Sequence, residues 1–342
     1  MKTNNITYDN GQLTLLDQTQ LPQKTAYVTV TTYEETAQAI EQMIIRGAPL
    51  IGITAAYGVV LGARQYTFGD FYTYMHQVLS RLEHTRPTAI NLKWALNRME
   101  NVITSDAQET IRLLEREAAA IYEEDIAINR RIGEALLPLI KEGTSFITHC
   151  NPGALATSAY GTATAPFYLA HEANINFKVY SDETRPRLQG TLTAYELQNA
   201  GIDVTTITDS TAATLLSSGK IKAVIVGCDR VTANGDVINK IGTLPLAICA
   251  QYYNVPFYVA APTPTFDSTI LDSAKVPIEE REDTEVTHIQ DYALTIQDIQ
   301  VYNPAFDITP AKLITGLATE HGLIKADRKS IKQIVNLKET TK

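Results

Sequence analysis

Between residues 145 and 261 five short apolar runs return at intervals of roughly 20 to 35 residues: SFITHC (145–150), NFKVYS (176–181), DVTTI (203–207), KAVIVGC (222–228) and PFYVAA (256–261). Runs this short, separated by stretches long enough for a helix, are what parallel strands joined by crossover helices require. The chain is therefore expected to be α/β, with a parallel sheet in its second half. In such sheets ligands lie outside the carboxyl ends of the strands. Attention falls on the residues there, Cys150 at the end of the first run and Asp229 after the fourth.

The first half has a different texture. AYVTVT (26–31) alternates like a short strand, and Thr32 with Glu35 forms a capping box that predicts a helix through about Ile45. After RGAP (46–49) a second helix is expected through LIGITAAYGVVLGA. Further helices follow, the longest from about residue 105 to 140, where Leu113, Leu114, Ala118, Ile121 and Ile128 recur near helical spacing. The reading is a mainly helical N-terminal α+β domain with a small sheet over 1–135 and a catalytic domain over 136–342. A chain of 342 residues is long enough for two cores. No internal repeat, low-complexity tract or linker separates the halves.

Composition removes several functions. No apolar run approaches the roughly 20 residues of a membrane span, and the opening MKTNNITYDNGQ has no signal-peptide core, so a cytoplasmic protein is expected. Three cysteines fit a reducing compartment rather than a disulfide framework. A net charge of −9 argues against nucleic acid as partner. There is no GxGxxG or GxxxxGK[ST] stretch for a nucleotide, the six histidines are scattered, and no His, Cys or acidic group has metal-ligand spacing. Neither a metal nor a cofactor is expected.

What remains are short stretches suited to anions and proton transfer. RGAP joins the cation of Arg46 to the amides of Gly47 and Ala48 at a helix start, and HTRPTAINL (84–92) repeats the arrangement with Arg86 before Pro87. Each can hold a phosphate or be an ordinary helix start. In CNPGALAT (150–157) Cys150 stands at a strand end before a helix expected around Ala154 and Ala156, whose N-terminus favours a thiolate. Cys150 is thus either a reagent or a buried packing residue. Cys249, in LAICAQYY, reads as packing, and Cys228 as pointing to the other side of its strand from Asp229. In VGCDRVTANGDVINKIGT (226–243) Asp229 leaves an apolar strand, Asn234-Gly235-Asp236 makes a tight turn, and Asn239-Lys240 is expected to open the next helix. Asp229 suits either a general acid in a partly dry site or a loop cap.

Taken in order, IRGAPLIGITAAYG, RPTAINL, HCNPGALAT, ETRPRLQG, GCDRVTANGDVINKIGT, APTPTFD, VPIEER and VYNPAFDITP resemble the S-methyl-5-thioribose-1-phosphate isomerase family over residues 46 to 310. The resemblance implies a homodimeric aldose–ketose isomerase of methionine salvage, with a Rossmann-like C-terminal domain, a small phosphorylated pentose as substrate, and neither metal nor cofactor. It implies Cys150 and Asp229 as the catalytic pair. Arg46, Gly47, Ala48, Arg86, Gln189, Asn239 and Lys240 take the substrate contacts. The chain departs from the family in reading QGTLTA after Arg187-Leu188, one residue shorter than the usual QGARLTA and without its arginine. Arg187 is the nearest replacement. Isomerases of other pentose phosphates, 5-deoxyribose 1-phosphate or ribose 1,5-bisphosphate, stay open, as does a non-catalytic binding protein like the regulatory subunits of the translation-initiation nucleotide exchange factor.

Overall fold

The computed structural model describes residues 5–86 and 90–340. The chain divides into two compact units, Met1–Asn129 with Gly153–Gly161, and Arg130–Pro152 with Thr162–Lys342.

The first unit opens with an antiparallel sheet of β1 (Ile6–Asp9), β2 (Gln12–Leu16) and β3 (Tyr27–Val30). Alternation decides its faces: Leu13 and Leu15 are fully buried while Thr14 between them meets Thr29 on the other side. The expected capping box starts α1 (Tyr33–Glu41), Thr32 Oγ1 accepting the Glu35 amide and the Glu35 carboxylate accepting the Thr32 amide. The helix stops at Glu41, short of Ile45, because Met43 turns to a φ of +60°. α2 (Ala48–Gln65) is buried on all sides from Leu50 to Ala63. A helix with no polar face must be surrounded, and α1, α3 (Phe71–Glu83) and α4 (Ile90–Glu100) pack around it. Each Leu, Ile or Val buried there contributes about 1.5–3 kcal/mol. α5 (Ala107–Leu136) adds Leu114, Ala118 and Ile121 to the same core, and the division at Asn129 falls inside it.

In chain order the second unit carries β4 (Ser145–Thr148), α6 (Ala165–Glu172), β5 (Lys178–Asp182), α7 (Gln189–Asn199), β6 (Val204–Ile207), α8 (Thr211–Ser217) and β7 (Ile221–Val226). There follow β8 (Arg230–Thr232), β9 (Val237–Lys240), α9 (Thr243–Tyr252), β10 (Phe257–Ala260) and β11 (Phe266–Asp267). The chain continues through α10 (Thr284–Thr287), β12 (His288–Ile289), β13 (Tyr292–Ala293), β14 (Phe306–Thr309), β15 (Gly316–Thr319), β16 (Gly322–Ile324) and α11 (Arg328–Thr340). All five apolar runs became strands of one seven-stranded sheet, ordered β16-β15-β10-β7-β4-β5-β6, in which only the edge strand β16 runs antiparallel. From β4 the chain winds outward through β5 and β6, then returns to the other side of β4 to lay down β7, β10 and β15. The order therefore reverses between β4 and β7, and an open α/β sheet offers its crevice at the carboxyl ends of the strands at such a reversal. Phe146, Ile147, Val224 and Val226 are fully buried, as strands covered on both faces must be. A smaller sheet, β11-β8-β9-β14, follows directly from the end of β7. Among the described residues no helix is long and apolar enough to cross a membrane.

Candidate active site

β4 and β7 are parallel neighbours, Ile147 standing opposite Val224, so Cys150 and Asp229 leave the sheet from the same edge, on the two sides of the reversal. Cys150 is half-buried, with its backbone at φ +63°. A side chain rarely adopts that conformation, which persists only where the surroundings enforce it. Here two threonines do so. Thr184 Oγ1 accepts the Cys150 amide at 2.8 Å, and Thr193 Oγ1 donates to the Cys150 carbonyl at 2.8 Å. Asn151 is held alongside by Thr193 and Glu196 of α7, its amide lying 2.9 Å from Thr193 Oγ1 and 2.6 Å from Glu196 Oε1.

The helix expected after Cys150 is not formed. Ala154–Ala156 make a single three-residue 3-10 turn, too short to sum peptide dipoles toward the thiol. Its carbonyls are held by the N-terminal segment of the first unit: Asn5 Nδ2 donates to Ala154 O at 2.5 Å and to Thr157 O at 3.0 Å, and Gln18 Nε2 donates to Leu155 O at 2.7 Å. A non-local demand on these groups overrides the local helical preference of Ala-Leu-Ala.

Asp229 is half-buried and donates its amide to Ile238 O of β9 at 3.0 Å. Asn239 and Lys240 do not open a helix, as expected from sequence. They end β9, because Val237 and Ile238 favour extended backbone and this segment pairs with β8 on one side and β14 on the other. Asn239 Nδ2 donates to Thr243 Oγ1 at 3.0 Å, and Lys240 Nζ lies 4.8 Å from the centre of the Phe306 ring. Gln189 is the first residue of α7, buried, and its Oε1 meets no hydrogen-bond donor among the described residues. It follows β5, the neighbour of β4 on the other side. Thus Cys150, Gln189 and Asp229 follow the carboxyl ends of β4, β5 and β7 in the large sheet, while Asn239 and Lys240 end β9 of the smaller sheet, and Ile241 after them reaches His149 beyond β4. Arg187 is ion-paired with Glu285 at 3.0 Å, a carboxylate it shares with Arg281. Cys228 turns away toward Ala260 O and Thr265 Oγ1, and burial pushes its thiol up to about 12. Cys249 lies in α9, packed against the core.

In the first unit Arg46, Gly47 and Ala48 stand at the start of α2. Gly47 is the N-cap with φ +96°, and a Cβ there would lie 2.5 Å from both Cβ and O of Ala156. Only glycine fits, and the helix start lacks a side-chain cap. Arg86 is half-buried just beyond the end of α3; Pro87, which was to open the next helix, lies outside the described residues.

Sequence reasoning missed His149, the residue before Cys150. Its Nδ1 is 3.0 Å from Asp182 Oδ2 and its Nε2 2.8 Å from Ile241 O. With Asp209 these side chains form a group whose ligand atoms lie within 4.8 Å of one another. Both ring nitrogens are engaged, and the Asp209 oxygens accept the Thr184 and Arg185 amides at 2.8 Å. The group is a buried hydrogen-bond network in which Asp182 Oδ1 meets no partner among the described residues. The signal was present as a histidine closing an apolar run, next to the cysteine.

A parallel sheet with a cysteine and an aspartate on the two sides of its reversal defines an α/β protein with two titratable groups at one edge. The sequence profile of the initiation factor 2 subunit family matches residues 44–326, and the chain belongs to that family. A 5-deoxyribose 1-phosphate isomerase of Bacillus thuringiensis (strain Al Hakam) is 54% identical over 330 residues, covering 94% of this chain and 95% of the relative. Among solved structures, 5-methylthioribose 1-phosphate isomerase from Pyrococcus horikoshii OT3 matches with a TM-score of 0.91 and 36% identity over 97% of this chain and 96% of that one. Translation initiation factor eIF-2B, subunit delta, from A. fulgidus matches with a TM-score of 0.88 and 38% identity over 97% and 99%. Within the family the chain is an aldose–ketose isomerase.

Proposed function

We propose that the substrate is 5-deoxyribose 1-phosphate, converted to 5-deoxyribulose 1-phosphate by Cys150 and Asp229, with Arg46, Gly47, Ala48, Arg86, Gln189, Asn239 and Lys240 as the substrate contacts. The observation that carries the reaction is the placement of Cys150 and Asp229 on the two sides of the strand-order reversal. The 54% identity to a 5-deoxyribose 1-phosphate isomerase supports the choice of sugar. 5-Methylthioribose 1-phosphate is the second reading, supported by the Pyrococcus structure. Both sugars carry an apolar group at C5. Ribose 1,5-bisphosphate would add a phosphate needing a cation, and the Arg187 charge is already matched by Glu285.

A pentose 1-phosphate is closed as a ring by its substituted anomeric carbon. Asp229, protonated, donates to the ring oxygen as the bond from that oxygen to C1 breaks. Cys150, as thiolate, removes the C2 proton to give the enol and returns it at C1. The Asp229 carboxylate takes the proton of the 2-hydroxyl, which leaves the ketone at C2 and restores the acid. Each positioned acid or base contributes roughly 10² to 10⁴ in rate.

The test is a panel of the three sugar phosphates with purified protein, following ketose formation. The deoxy sugar should lead in kcat/KM by at least about tenfold, or roughly 1.4 kcal/mol. A lead of that size by the methylthio sugar would replace the first reading with the second. Cys150→Ser and Asp229→Asn should each lower kcat by about 10³-fold or more with the fold intact. Parental turnover in either removes that residue from the chemistry.

A further inference from the structure

His149 is fully buried at the end of β4, between Asp182 and the carbonyl of Ile241. A carbonyl only accepts, so Nε2 carries a hydrogen, and Nδ1 faces the carboxylate across one shared proton. Burial alone would push the imidazole down. The hydrogen bond and charge of Asp182, with the Ile241 carbonyl and Asp209, outweigh it and hold the ring above its ordinary value. Burial in turn pushes Asp182 up to about 6, with Asp209 and Glu183 adding to the rise. The pair keeps its proton, and the ring stays tied at both nitrogens.

Those ties join three stretches that carry site residues. Cys150 is the next residue in the chain. Ile241 directly follows Asn239 and Lys240, and Gly242 after it meets the imidazole so closely that a Cβ would lie 2.7 Å from His149 Cε1. Asp182 is two residues before Thr184, whose hydroxyl accepts the Cys150 amide. At the far end of β9, Asp229 is tied to Ile238 by its own amide.

We propose that His149, held by Asp182 and the Ile241 carbonyl, is a positioning residue that locks the strand end bearing Cys150 to the end of β9 bearing Asn239 and Lys240 during isomerisation. The inference rests on Cys150 being the reagent. A displacement of about 1 Å between reacting groups costs on the order of 10² in rate.

The experiment compares kcat, KM and thermal midpoints of His149→Gln, Asp182→Ala, Asp182→Asn and Cys150→Ser with the parent, using the sugar phosphate it turns over fastest. His149→Gln, whose amide cannot span both partners, should lose about 10²-fold in kcat with KM within about fivefold. Asp182→Ala should lose at least about tenfold. Asp182→Asn should return to within about threefold of the parent, because its N–H can donate to the bare Nδ1 of a neutral ring that still donates to Ile241. A structural role alone would lower the midpoint and leave kcat of the folded protein unchanged. Parental kcat in folded His149→Gln or in Asp182→Ala overturns the proposal, as does Asp182→Asn falling as far as Asp182→Ala. If His149→Gln does not fold, the two Asp182 variants decide alone, rescue by Asn supporting and equal rates overturning. An active Cys150→Ser would sink the reading of the cysteine; an inactive one beside parental His149 and Asp182 variants would sink this inference only.

Discussion

The start of α2 and the end of β4 both leave the ordinary regions of backbone space, and they meet the demand in opposite ways. At Gly47 the chain gives up its side chain: φ is +96°, and Ala156 fills the space a Cβ would need. At Cys150 the side chain is kept at φ +63° against its preference, with the strain opposed by Thr184, Thr193 and the clamped His149. A position needed for close backbone approach is filled by glycine. On the proposed reading of Cys150, a position needed for a thiol retains it, and its neighbours supply the stability.

The comparison breaks most visibly at Gly47. Gly47→Ala forces Ala156 to move and places a Cβ at a φ that side chains rarely adopt, so unfolding in urea should show a loss of about 3 kcal/mol. A midpoint within experimental error of the parent would mean the helix start yields freely. Asp125 sharpens the same side of the comparison, since it accepts the Ser158 amide at 2.8 Å and so holds the segment against which Gly47 packs. Burial pushes its carboxyl up to about 6, from an ordinary 3.8. The folded state therefore binds this proton more tightly than the unfolded chain, a contribution present in full below about pH 4 and lost as pH rises through 6. Asp125→Asn cannot titrate. Its stability relative to the parent should improve by on the order of 2 kcal/mol between pH 4 and pH 7, and a difference flat with pH would deny the burial. The smallest effect is at Cys150→Gly, which should abolish turnover yet gain about 0.5–1 kcal/mol from relieved strain. A loss of stability there would show that packing of the thiol outweighs the strain.

The strands of the large sheet were legible because each is a compact apolar run, and burial on both faces writes itself directly into composition. Cys150 and Asp229 were legible for the same reason, as polar residues where those runs end. Asn239 and Lys240 were assigned to the right stretch but to the wrong element. Their extended state depends on β14, whose Asp307 stands opposite Asn239 across 68 residues of chain. The 3-10 turn at Ala154 was hidden because its hydrogen-bond donors, Asn5 and Gln18, are far away in sequence. His149 was hidden by its partners, Asp182 and a main-chain carbonyl at Ile241, the second of which leaves no mark on amino-acid type.

The return of residues 153–161 to the first unit bears on how the protein is made. A nascent chain that has cleared the ribosome only as far as Asn129 has the starts of α1 to α5 in hand, yet Asn5, Gln18 and Gly47 still lack the segment they close upon. Completion must wait until β4 and its cysteine have also emerged. A gene cut at the apparent boundary would therefore yield an N-terminal fragment with an open seam, and a productive split would have to fall beyond Gly161.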